Sequence, residues 1–276
     1  MNGLITMAEN KSSDSKTNVI LVVLLIGAAF TIGVFWQKIQ LLEKSEKTKG
    51  TQQTADTTDR QEATPQATVS IDQIKDLFTD DHITFGDQNR SVLFVEFSDP
   101  SCPYCHIAGG KNPELNQQAG AQFTLVEQGG SYVPPLEEMR KLVDSGDASY
   151  VFIYRNGHGN GLLATQALYC AYENDVFWPV HDTLMSNAGY TLINDTVQNN
   201  SANIPQLVEF LSGVMNKTTL SDCLTSKKYE EKLTRDSRVG DQLGAGGTPG
   251  FFVNTSYFAG AYSYTDIKPT VDAALN

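Results

Sequence analysis

Residues 99–106 read DPSCPYCH and follow the apolar run Val92-Leu93-Phe94-Val95-Glu96-Phe97 without a break. Two thiols three positions apart, where a strand gives way to a helix, can form and break a disulfide with each other. The spacing puts Cys102 at the helix N-terminus, where the dipole and unpaired N–H groups stabilise a thiolate. Cys105 falls one turn in, shielded, and is placed to attack a mixed disulfide on Cys102. Pro103 suits the first helical position, whose N–H has no intrahelical partner. Cys102 is therefore the expected nucleophile and Cys105 the resolving thiol. Tyr104, between the cysteines, is expected to tune the thiolate, and His106 to add local positive charge.

Two other chemistries use the same letters. Zinc requires a second close pair, whereas Cys170 and Cys223 stand far apart and alone. CPYCH also fits the haem-attachment pattern C-x-x-C-H, which needs a second axial ligand and a helical pocket. Here a strand precedes the motif, and strand patterns return near the C-terminus. The dithiol reading calls for no cofactor and no metal.

The elements that position this pair occupy the C-terminal three quarters of the chain. Val19 to Trp36 (VILVVLLIGAAFTIGVFW) is uncharged and apolar, close to the roughly 17–25 residues that span a bilayer. No small-x-small cleavage site follows Trp36, so the segment reads as an uncleaved anchor rather than a signal peptide. Lys38, Lys44, Lys47 and Lys49 follow it while Lys11 and Lys16 precede it, a bias that places the C-terminal side in the cytoplasm. Thiol chemistry argues the other way, since disulfides persist in oxidising compartments. The expected topology is a cytoplasmic tail over 1–18, one anchor over 19–36, and a catalytic domain on the extracytoplasmic side of the inner membrane. Residues 37–69, rich in Thr and Gln, read as a flexible tether. A formal charge of −12 offers no basic patch for nucleic acid.

Within 70–276, Ser70 to Phe78 has a helical stripe, His82 to Phe85 a short strand, and Val92 to Phe97 the central strand. The helix begun at Cys102 is expected to break near Gly109-Gly110 and Pro113, with a candidate strand at Phe123 to Val126. Pro134 to Val143 reads as a helix and Tyr150 to Tyr154 (YVFIY) as a buried strand. Residues 160–243 read as a helical block of four helices: one led by Ala164, Leu168 and Ala171, then Phe177 to Met185, Ile204 to Met215 and Leu220 to Val239. Gly247 to Asn254, a strand entered through Thr-Pro, and Tyr257 to Tyr262 then form a hairpin, and Tyr264 to Leu275 a closing helix. This order is that of an α/β, thioredoxin-like fold with a helical insertion.

VEFSDPSCPYC, FWPVHDTLM, CLTSKKY and GGTPGFFVN occur in an order that resembles the DsbA-like thiol:disulfide oxidoreductases, in particular their membrane-anchored bacterial branch. The first and last segments in combination are specific; the middle two are weaker. The resemblance implies a domain that exchanges disulfides with exported proteins carrying cysteine thiols, and a membrane redox partner. An oxidase is the expected direction, a reductase or isomerase of the same fold the alternative, and a non-catalytic adaptor a further class. The resemblance implies that Pro249 is cis beside the disulfide, and that Thr248 contacts both cysteines and substrate. Glu96, on the same strand face as Val92 and Phe94, should be desolvated with a raised pKa. By resemblance it would exchange a proton with Cys105. Asp99 reads as a turn former or cap, and His158 and His181 as structural or loop residues. Cys170 and Cys223, on separate helices, are expected to form a structural disulfide. The chain departs from the family in the polar stretch 112–135 and in the loop NGHGNG after Arg155.

Overall fold

A computed structural model describes residues 69–276, so the expected anchor and tether lie outside the described residues. Among the described residues no helix is long and apolar enough to cross a membrane. A five-stranded sheet forms the centre, in the order β1-β3-β2-β4-β5. The strands are β1 (Ile83–Phe85), β2 (Val92–Ser98), β3 (Ala148–Tyr154), β4 (Gly250–Val253) and β5 (Ser256–Ala259). Only β2 and β3 run parallel; β1, β4 and β5 each pair antiparallel with their neighbours. Every residue of β2 and β3 is buried, as a near-continuous apolar run requires in strands covered on both faces.

The alternation of side chains along the strands makes two cores. Val92 and Phe94 of β2, Tyr150, Phe152 and Tyr154 of β3, and Phe251 and Val253 of β4 face the larger one. It is covered by α4 (Pro135–Asp144), α11 (Tyr264–Leu275) and the helical block. Leu93, Val95, Phe97, Val151, Ile153 and Phe252 face the smaller one, under α1 (Ile71–Lys75) and Leu243. A capping box fixes the start of α1: Ser70 accepts from the Gln73 backbone while the Gln73 side chain accepts from the Ser70 N–H.

After β2 come α2 (Pro103–Gly109) and α3 (Pro113–Gln118). The break between them lies at Gly110, whose φ of +70° ends α2 in the left-handed region that favours glycine. The strand expected at Phe123 to Val126 does not form. Two 3-10 turns, Ala121–Phe123 and Val126–Gln128, flank a single bridge between Leu125 and Tyr132. The segment closes on itself instead of adding to the sheet: Val126 donates to the Tyr132 carbonyl, and Tyr132 to that of Thr124.

The helical block comprises α5 (Leu162–Tyr172), α6 (Phe177–Leu184), α7 (Asn187–Thr191), α8 (Ile204–Phe210), α9 (Lys217–Ser226) and α10 (Glu230–Gln242). The single helix expected from Leu220 to Val239 is two, parted at Lys227, which has a φ of +57°. A π-helical turn at Leu192–Val197 continues α7, a feature that apolar spacing does not announce. Cys170 of α5 and Cys223 of α9 are joined by a disulfide.

Candidate active site

The central strand delivers the cysteines. β2 ends at Ser98, and Cys102 caps α2 with extended backbone angles, its carbonyl accepting from the N–H groups of Cys105 and His106. Both thiols are unbonded and mostly enclosed; Cys102 keeps 5% exposure and Cys105 only 1%. Their acidities diverge. Cys102 is pulled down to about 6, chiefly by a hydrogen bond from the Cys105 thiol, then by the Thr248 side chain and the backbone N–H groups of Cys105 and Tyr104. Burial works against that drop. Cys105 is held well above the ordinary thiol value, first by burial and then by its hydrogen bond and charge interaction with Cys102.

The other wall comes from the far end of the sequence. The Thr248–Pro249 peptide is cis, and the Cys102 thiol donates to the Thr248 carbonyl at 3.3 Å. The loop NGHGNG packs against the same place. A Cβ on Gly157 would collide with Thr248 Oγ1, and one on Gly161 with Asp99 Oδ1, so only glycine fits at either position.

Asp99 binds that loop to the cysteine loop. Its carboxylate accepts from Ser101 N, Ser101 Oγ, Gly157 N and His158 N at 2.7–2.9 Å. Asn160 N donates to Ser101 Oγ, and Asn194, from the π-helical turn, donates to the Ser101 carbonyl. Asp99→Ala leaves four donors facing a cavity. It should lower unfolding free energy by about 3 kcal/mol, read by chemical denaturation; a loss under about 1 kcal/mol would show that the loops hold without it.

Glu96 lies on the face of β2 that looks into the larger core and is fully buried. The Tyr150 hydroxyl donates to its Oε2. Burial raises the Glu96 pKa, partly offset by Tyr150, His181 and Ser98. Ser98, two residues further along the same face, makes no hydrogen bond of full geometry, yet its hydroxyl lies close enough to Glu96 and Cys105 to lower the pKa of both. Ser98 thus lies near both the carboxyl and the inner thiol, and Tyr150 holds the carboxyl, neighbours the sequence reading missed.

His106 does not behave as expected. It is completely buried, with Nδ1 2.9 Å from the Met185 carbonyl and Nε2 2.8 Å from the Pro100 carbonyl. Burial pushes its pKa down to about 4, away from the positive charge expected beside Cys102, while the two carbonyls pull the other way, since a neutral ring can donate to only one of them. With both nitrogens engaged by backbone, His106 is arranged as a brace and not as an axial haem ligand. His181 is buried in α6 rather than in a loop, while His158 is exposed and meets Asp99 only through its backbone. Tyr104 is 49% exposed and lies edge-on to Phe123. Together with Tyr132, Thr248, Gly260 and Tyr262 they line a groove of about 440 Å³ beside Cys102.

The family model described as "Thioredoxin" matches residues 135–273. The chain belongs to the thioredoxin family. That match begins after the cysteine pair, so the placement of Cys102 and Cys105 rests on the geometry above. Among curated proteins the chain is similar to "Disulfide bond formation protein D" of Bacillus subtilis (strain 168), 21% identical over 202 residues covering 69% of this chain and 75% of that protein. Its fold is like that of oxidised BdbD from Bacillus subtilis, with a TM-score of 0.51, 20% identity, and coverage of 71% of this chain and 93% of that one. It is also like that of a doubly substituted variant of alpha-DsbA1 from Wolbachia pipientis, with a TM-score of 0.54, 16% identity, and coverage of 75% and 96%. The fold is DsbA-like, a thioredoxin-like sheet carrying a helical insertion.

Proposed function

We propose that this DsbA-like protein-disulfide oxidoreductase works as a dithiol oxidase, passing the Cys102–Cys105 disulfide to exported proteins. The observation that supports exchange at this pair is the divergence of the two thiols, the outer one acidic at about 6 and the inner one buried and raised. A stabilised Cys102 thiolate favours the reduced enzyme, which makes its disulfide a willing oxidant.

A substrate thiolate attacks Cys102 Sγ of the oxidised pair, and Cys105 leaves as a thiolate that takes up a proton. A second substrate thiolate then attacks the substrate's own sulfur in the mixed disulfide, and Cys102 leaves as the thiolate. The substrate loses two electrons and the enzyme gains them, to be removed by a membrane redox partner. Glu96 is the proposed proton donor to Cys105. The Thr248 backbone beside Pro249 and the groove lined by Tyr104, Phe123 and Tyr262 are the proposed seat for the substrate chain.

Equilibration of the full chain with glutathione tests the direction. An oxidase should show a reduction potential less negative than about −200 mV. A value near about −270 mV would make it a thioredoxin-like reductase instead.

The proposed architecture is a cytoplasmic tail over 1–18, an anchor over 19–36, a tether over 37–69 and an extracytoplasmic catalytic domain over 70–276. The oxidising compartment suited to the thiol pair and the Cys170–Cys223 bridge supports that side. A membrane-impermeant thiol reagent should label the reduced domain in intact cells once any outer barrier is opened. Labelling that requires lysis of the inner membrane would place the domain in the cytoplasm.

A further inference from the structure

Apart from Glu96 and Asp99, the buried carboxylates and ammonium groups among the described residues are Asp236 and Lys232, both on α10. They meet the buried His82, which immediately precedes β1, and Tyr169 of α5. Lys232 Nζ donates to Asp236 Oδ1 at 2.8 Å and to His82 Nδ1 at 3.1 Å. The Tyr169 hydroxyl donates to Asp236 Oδ2 at 2.9 Å, and the Lys232 ammonium lies 5.1 Å from the centroid of the Tyr169 ring. One cluster therefore joins the first turn of the domain to two helices of the helical block.

Counting donors fixes the protonation of the ring. An ammonium only donates, so His82 Nδ1 accepts and the imidazole proton sits on Nε2. A second proton would turn Nδ1 into a donor aimed at another donor. It would also set two positive charges against the single charge of Asp236, whose Oδ1 is 3.7 Å from His82 Nδ1. The other charged groups around the ring are Asp81 beside it, and Asp76 and Arg235, which line with His82 and Asp236 a cleft of about 440 Å³. That cleft is the route by which solvent protons reach the imidazole. Burial and the Lys232 charge hold the His82 pKa below its ordinary value, against Asp236 and Asp81.

We propose that His82, Lys232 and Asp236 form an acid-released latch that ties the entry segment of the domain, residues 70–82, to the helical block. The latch closes only on a neutral ring. It is complete above the free imidazole value of about 6.5 and is lost as the pH falls below it. A proton taken from solvent by Nδ1 gives His82 its own claim on Asp236 and expels Lys232, since a buried ammonium without its carboxylate is costly. β1 stays in the sheet, because it pairs with β3 and Tyr172 donates to the Thr84 carbonyl. Loosening is confined to α1, the turn over 76–82 and the Lys232 end of α10. In the proposed architecture the tether joins the catalytic domain at this segment, so acid frees the joint and leaves the thiol site in place.

Hydrogen exchange of the oxidised full chain, read by mass and corrected for intrinsic rates, tests the latch at about pH 7.5 and about pH 5, on either side of the imidazole value. Peptides covering 70–82 should lose protection about tenfold at the lower pH, and no more than about thirtyfold, the factor by which a free imidazole is protonated there. Peptides from α4 serve as the internal reference and should not change. His82→Gln, whose amide oxygen accepts from Lys232 at every pH, should abolish the difference. Lys232→Met should reverse it, because a protonated His82 then meets Asp236 unopposed. Ring nitrogen shifts of the wild type, which need no variant, should show His82 protonated on Nε2 alone at the higher pH. Equal protection of 70–82 at the two pH values, a loss that persists in His82→Gln, or an Nδ1-protonated ring at the higher pH would overturn the latch.

Discussion

Replacing Cys102 by Ser should reduce thiol–disulfide exchange to the uncatalysed background, because the thiolate is the nucleophile and the hydroxyl has no comparable acidity. Cys105→Ser should instead accumulate mixed disulfides between Cys102 and substrate, since the resolving thiol is gone. Cys105→Ala should also raise the Cys102 pKa from about 6 toward the ordinary 9, for the Cys105 thiol is the largest stabiliser of that thiolate. Thiolate absorbance against pH measures it. A Cys102 titration unmoved in Cys105→Ala would leave the helix N-terminus and Thr248 as the whole cause. The same depression has a stability consequence. The folded-state pKa lies below the unfolded one, so the contribution is complete above pH 9 and vanishes as pH falls through about 6. At pH 7 only about one unit of the drop counts, on the order of 1 kcal/mol. The reduced protein should therefore gain stability between pH 6 and 9, and the oxidised protein, whose Cys102 does not titrate, should not show this gain.

The second large effect concerns the helical block. The Cys170–Cys223 bridge closes a loop of 53 residues. In the chain-entropy model a loop of that length contributes about 4 kcal/mol. Cys170→Ala/Cys223→Ala should lose most of that amount in chemical unfolding while retaining exchange at Cys102, which belongs to a separate cluster with Cys105 and Met185. Cys170 is completely buried, so mild reductant should open Cys102–Cys105 first. Peptide mapping under alkylation reads the order. Simultaneous opening of both bridges, or a double variant as stable as the wild type, would remove the structural role assigned to Cys170 and Cys223.

What can be read without the fold is whatever depends on near neighbours. The run from Val92, the DPSC turn and Pro103 specify a strand, a stop and a helix start within a short stretch, so the places of Cys102 and Cys105 follow from local chemistry. The apolar face of Glu96 follows from period two in the same way. The Leu125–Tyr132 segment misled the strand pattern because short apolar runs can be satisfied by a turn that closes on itself.

The roles of the groups around the thiols depend on partners far away in sequence. Glu96 meets Tyr150, 54 positions later, only because β2 and β3 pair in one register. His106 is pushed toward its neutral form because the packed chain shuts it off from solvent, against the pull of the Pro100 carbonyl and of the Met185 carbonyl, 79 positions on, which favour the protonated ring. Asp99 reads as a simple cap in sequence, and becomes a clamp only when residues 157–158 arrive with two free N–H groups. Burial and the identity of the facing group set the acidity of each residue, and both are properties of the packed chain. Local chemistry is enough to stand the two cysteines at their turn. Which of their neighbours carry charge follows from packing, because only packing removes the water that would otherwise level them.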